Sequence, residues 1–277
     1  LFLKPGIREF VNGKQNMNVS DAHYHHLSPV SGGGDALAQH ITQALLFERN
    51  ALALAHADAD IDLRLDTGEV ARFVEVFLQK RWRQVLAHAY CDADAATQQD
   101  LLALMDQLIK SAQPKFTADQ CQDFLQGLPA MVAKLAEWLD KDGWQGPERD
   151  IFFIKLAERH AMVARGPLSA RHRIEQAVNS AQKASERRWE HESRVEALAN
   201  DQNLRDVRQM QLANWIEVLS ENENALHYYK LSWVSPRQMV LVFVERDGQD
   251  FFSITVEKLA ERLHDHSARI LSQEPLA

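Results

Sequence analysis

Lys230-Leu-Ser-Trp-Val-Ser-Pro236 passes through Arg237 and Gln238 into Met239-Val-Leu-Val-Phe-Val-Glu-Arg-Asp-Gly248. β-branched and aromatic residues fill both halves, and Ser-Pro breaks the run between them, so the stretch reads as two strands joined by a turn. Working outward, Trp215–Leu219, Leu226–Val234, Met239–Glu245 and Phe251–Val256 share the same period of two, with Asp247-Gly248 as a hairpin turn. Val256 to Leu263 then returns to helical spacing. These runs predict a small antiparallel β-barrel with a C-terminal helix over residues 212–277.

The preceding chain has a different texture. Residues 1–34 are broken repeatedly by Pro5, Gly6, Gly13, Pro29 and Ser31-Gly-Gly-Gly34, and read as a leader and loop. From 35 to 166 apolar residues recur at three and four, as in Leu101, Leu104, Met105, Leu108, Ile109 and Ala112, a stripe that stops at Gln113-Pro114. Thr117-Ala-Asp-Gln120 offers a capping box for the next helix, and Gly127 with Pro129 divides that helix from another. Asp142-Gly143 closes the latter, and Gly146-Pro147 opens one more. The short breaks predict an antiparallel helical bundle. Residues 167–211 form a charged connecting helix whose thin seam of Ile174, Val178, Ala181, Trp189, Val195 and Leu198 leaves two readings open, a solvated connector and a pairing coiled coil. The fold class is α+β.

Composition narrows the function classes. A formal net charge of −8 opposes general binding to nucleic acid, because phosphate neutralisation needs excess Lys and Arg. Met239–Val244, the longest aliphatic or aromatic run, is too short to insert in a membrane. Cys91 and Cys121 stand apart from any metal-spaced partner, which fits the reducing cytoplasm. The chain opens on Leu1 rather than Met, so a preceding portion is expected.

Two clusters invite a metal. Asp58, Asp60, Asp62, Asp66 and Glu69 match carboxylate positions of a calcium loop, yet Leu63 stands where such a loop turns on glycine. The competing reading makes Asp66 a helix cap with Glu69 as its reciprocal partner. His23-Tyr-His-His26 carries three imidazoles without another fixed ligand. His88 and His160 share helix faces with apolar residues and read as hydrogen-bonded boundary positions. No nucleophile is spaced with its base, and no phosphate-cradling glycine loop occurs, so the chain is not read as an enzyme and no cofactor is required.

Met105–Lys115, Leu139-Asp-Lys-Asp-Gly-Trp144, Lys230–Pro236 and Val242–Gly248 resemble the C-terminal half of a large family of unknown function from Gram-negative bacteria, often labelled thymidine phosphorylase. The similarity runs from Val70 to Leu276, and the residues give that label no phosphate site or nucleoside pocket. The terminal barrel resembles a divergent PilZ domain, the bacterial receptor fold for cyclic di-GMP. That resemblance implies a site built from Arg205, Arg208, Ser235 and Arg237, the guanidinium groups pairing with phosphate and guanine. The chain departs from the receptor pattern at Trp233 and Gln238, where an acidic or amide residue and a glycine belong. The leading expectation is therefore a non-enzymatic cytoplasmic signalling adaptor with protein partners, self-association through residues 170–211 being one mode. A cyclic di-GMP receptor is the alternative, and a nucleic-acid surface of Trp215, Tyr228 and Tyr229 conflicts with the acidic balance.

Overall fold

The computed structural model describes residues 33–67, 70–165, 170–219, 225–248, 250–271 and 273. The leader and His23-Tyr-His-His26 lie outside these residues. Contacts divide the chain into two compact units: 45–202, and the start of the first helix up to Ala44 with Asn203–Ala277.

The first unit is a helical bundle. After α1 (Gly33–Leu65) come α2 (Arg72–Phe77), a π-helical turn (Leu78–Trp82) and α3 (Arg83–Asp92), then α4 (Ala95–Ala112), α5 (Ala118–Lys141), α6 (Pro147–Ala164) and α7 (Ala170–Asn200). α4 is central, packing on α2, α3, α5 and α6 through the Leu101, Leu104, Met105 and Leu108 stripe. Each leucine fully removed from water along this seam stabilises the bundle by about 2 kcal/mol. Its start is fixed by Asp94, whose carboxylate accepts from the Thr97 N–H at 2.8 Å.

Half of the expected capping box is present, Gln120 N–H donating to Thr117 Oγ1 at 3.2 Å; the return bond reaches one residue further back, with Phe116 N–H rather than the Thr117 N–H donating to Gln120 Oε1 at 2.9 Å. Gly127 and Pro129 do not divide the helix that follows, since α5 continues through both. The carbonyl that Pro129 leaves unpaired belongs to Leu125, a residue 50% exposed, so water can satisfy it. α5 ends in a Schellman turn: Gly143 has φ +72, Trp144 N–H reaches Leu139 O at 3.0 Å and Gly143 N–H reaches Asp140 O at 3.0 Å.

The second unit joins α8 (Gln202–Arg208) to β1 (Trp215–Leu219), β2 (Leu226–Val234), β3 (Val240–Glu245), β4 (Phe251–Thr255), α9 (Val256–His264) and β5 (Ala268–Leu271). The strands form one antiparallel sheet in the order β4-β3-β2-β1-β5. This sheet is open, which corrects the expected PilZ-like barrel. Its two edges, β4 and β5, are joined by α9, which packs on both and buries Val256, Leu259 and Ala260, so a helix stands where a closing ladder would be needed. β5 was not signalled by the sequence because Ala-Arg-Ile-Leu is short and follows a helix after only three residues.

One face of the sheet holds Ile216, Tyr229, Leu231, Phe243 and Ile254 under α8 and α9. On the other, Val242 is opposite Ser253, whose hydroxyl lies 3.0 Å from Nδ1 of His40 on the first turns of α1. The His40 ring also rests on Phe251 at 5.4 Å, and its burial holds the imidazole below its usual pKa.

Candidate interaction surfaces

The turn that decided the sequence reading has a structural task. Ser235 is 2% exposed, and its hydroxyl oxygen accepts from the Met239 and Val240 N–H groups, both at 3.0 Å. Gln238 closes the turn onto Ser235 O at 2.8 Å with φ +56, the left-handed region. A bulge precedes the turn: Leu231 faces Phe243 while Trp233 faces Val242, so Ser232 is the extra residue and Trp233 is turned to the face opposite Leu231.

The four residues assigned to a dinucleotide fall into two places. Arg205 and Arg208 lie on the exposed side of α8, whose inner side is Leu204 and Val207, and Ser235 and Arg237 lie in the β2–β3 turn. Ser235 is turned inward to the backbone of its own turn. Because the sheet is open, the receptor fold that would gather these groups is absent, and the cyclic di-GMP theme falls with it. The proposed nucleic-acid surface is also largely internal, with Tyr229 6% and Trp215 8% exposed. Burial pushes the Tyr229 phenol up to about 12.

The calcium-loop carboxylates are distributed along a helix. Asp58, Asp60 and Asp62 belong to α1, where alternate residues diverge around the axis rather than converging on an ion. Arg83 Nη2 donates to Asp58 at 2.8 Å, and Asp60 accepts from the Tyr90 hydroxyl and, at 3.4 Å, from Arg64. The Asp62 carboxyl titrates above its usual range, through burial first and then the charges of Asp58 and Asp66. Asp66 follows the helix end, and Glu69 lies outside the described residues. The next helix is preceded by Ala71, which supplies no side-chain cap. Among the described residues no group of three or more His, Cys, Asp or Glu side chains is placed to hold a metal ion.

A serine–histidine pair that sequence spacing did not reveal sits in the bundle. His160 Nε2 lies 2.9 Å from Ser111 Oγ, while that hydroxyl donates to Leu108 O at 2.7 Å. Nε2 therefore carries the proton and donates, which is the reverse of what a general base needs. Both residues are buried, and burial with the nearby Lys115 charge lowers the imidazole to about 4.

Two exposed features remain. In the sheet unit an open groove of about 480 Å³ is lined by Asp206, Glu217, Leu219, Leu226 and Arg269, with Arg269 4.0 Å from Glu217. Arg205, Arg208, Ser235 and Arg237 are outside its lining. In the bundle unit, α7 inverts the usual burial of an amphipathic helix. Its inner side is polar, with Ser180 buried and Arg187 paired to the buried Glu75. Its apolar residues are outside: Ile174 is 67%, Val178 61% and Trp189 69% exposed.

Two family profiles match, the third domain of DUF1631, a protein family of unknown function, over residues 46–157 and the DUF1631 C-terminal tudor domain over residues 202–271. The chain carries two DUF1631 domains. The first covers the bundle from α1 to α6, and the second covers α8 and the open sheet. The exposed part of α7 lies between the two DUF1631 domains rather than inside either. Comparison with curated proteins and with solved structures gave no match. Among the described residues no helix is long and apolar enough to cross a membrane.

Proposed function

We propose that the protein is a non-enzymatic adaptor of the cytoplasm that works through protein–protein contacts, with α7 as its principal contact surface. The observation that carries this reading is the outward placement of Ile174, Val178 and Trp189 on a helix whose docked side is polar. Leaving large apolar side chains in water forfeits the free energy that burial against a partner supplies. Tryptophan is enriched among residues that dominate interface energetics, which suits Trp189 as an anchor. The free thiols of Cys91 and Cys121 accord with a reducing compartment.

The test uses the whole chain in cells, with a photo-crosslinking amino acid at Trp189. The reading expects adducts of defined mass that disappear when Ile174 and Val178 are both changed to Glu. Absence of any adduct at Trp189 would sink it.

A further inference from the structure

We propose that the partner of the α7 surface is a second copy of this chain, paired through α7 in antiparallel orientation. The proposal rests on the adaptor reading of that surface and goes on to name its occupant.

Heptad spacing selects the contacts. Along a helix wound at seven residues per two turns, Ile174, Ala181, Arg188 and Val195 fall on one line, and Val178, Ser185, Glu192 and Ala199 on the adjacent one. The apolar members concentrate at the two ends of the seam, and its middle is polar. Antiparallel alignment of two such seams sets Val178 of one copy against Val195 of the other and Ile174 against Ala199. The same register places Ser185 opposite Arg188, polar against polar, and the small Ala181 opposite Glu192. Val195 is 52% exposed and the whole of 191–200 faces solvent, leaving room for a second helix along this length.

Charge selects the direction. Residues 170–185 carry Arg171, Arg173 and Lys183 against Glu175, an excess of cations. Residues 186–200 carry Glu186, Glu190, Glu192 and Glu196 against Arg187, Arg188 and Arg194, and Arg187 is already engaged by Glu75. A parallel pair would set basic half beside basic half. The antiparallel pair sets the basic half of each helix beside the acidic half of the other, where unlike charges attract. Such a dimer presents two copies of the sheet groove and so doubles any contact made there.

Sedimentation equilibrium of the full chain tests the pairing. A dimer is expected, with dissociation favoured by Val178→Glu and Val195→Glu and promoted by raised salt. Both residues are exposed in one copy, so the circular dichroism of the variants should match the parent's, and their melting should match that of the parent diluted to the monomer. Orientation is read with Cys91→Ser and Cys121→Ser in the background: mixed chains carrying Val178→Cys and Val195→Cys should form the heterodisulfide. A chain with Val178→Cys alone should remain unlinked. A disulfide between two 178 positions, a monomer at all concentrations, or a dimer indifferent to both glutamates would each overturn the proposal. A monomer that still forms Trp189-dependent adducts in cells would overturn the pairing while leaving the adaptor reading in place. Loss of the adducts as well would end both.

Discussion

Gln238 has φ +56, a conformation that costs a residue bearing Cβ about 1 kcal/mol relative to glycine. Gln238→Gly should therefore raise stability by about 1 kcal/mol in urea titrations, and an unchanged midpoint would show that the turn relaxes this strain. Ser235→Ala should act in the opposite direction, by about 2 kcal/mol, because it strips two N–H groups of their acceptor in a buried turn. His160 makes a pH-dependent contribution in the bundle. The unfolded imidazole accepts a proton near 6.5 and the folded one only near 4. Stability from this residue is thus complete above about pH 6.5 and declines as pH falls toward about 4. His160→Gln keeps a donor toward Ser111 and should flatten that decline when unfolding is followed across the acid range.

At the scale of elements, α5 holds an avoidable defect. Pro129 denies one hydrogen bond to an otherwise continuous helix, and Pro129→Ala should stabilise the protein by about 2 kcal/mol, less than the full interior penalty because Leu125, whose carbonyl loses the bond, is an exposed residue that water reaches. A melting temperature that does not rise would mean that the local bend is needed for packing. Helix ends were readable from the sequence wherever a single residue type decides them. Gln113-Pro114, Thr117 with Gln120, Gly143 and Gly146-Pro147 all mark real termini, since caps and left-handed glycines act over three or four residues. Gly127 and Pro129 misled because a break signal states a local cost, and the packing of Phe124, Met131 and Leu135 on either side outweighs it. The bulge at Ser232 was hidden for the reverse reason, as strict alternation assigns Leu231 and Trp233 to one face and only the register with β3 separates them.

For the whole molecule, the buried residues form one cluster in the bundle around Trp82, Met105 and Leu135, and another in the sheet unit around Ile216, Leu231 and Phe243. Two cores predict two transitions in calorimetry. Phe243→Ala, which empties a fully buried site, should lower one transition by about 3 kcal/mol or more and leave the other in place. A single transition that moves as a whole would show the cores to be one cooperative unit. The candidate surfaces were only partly legible: the thin apolar seam of α7 is visible in the sequence, but its outward direction depends on which side of the helix meets the bundle, as the Arg187 to Glu75 pair records. Likewise the calcium spacing was real as sequence and dissolved once α1 continued through Asp58 to Leu65. By itself the sequence determined the helical region, four of the strands, the helix ends at Gln113, Thr117, Gly143 and Gly146, and the turn at Ser235, because each depends on the intrinsic geometry of a few neighbouring residues. Tertiary structure alone decided that the sheet stays open, that Ser235 points inward, and that α7 shows its apolar side to solvent, because each depends on which distant surface wins the contact.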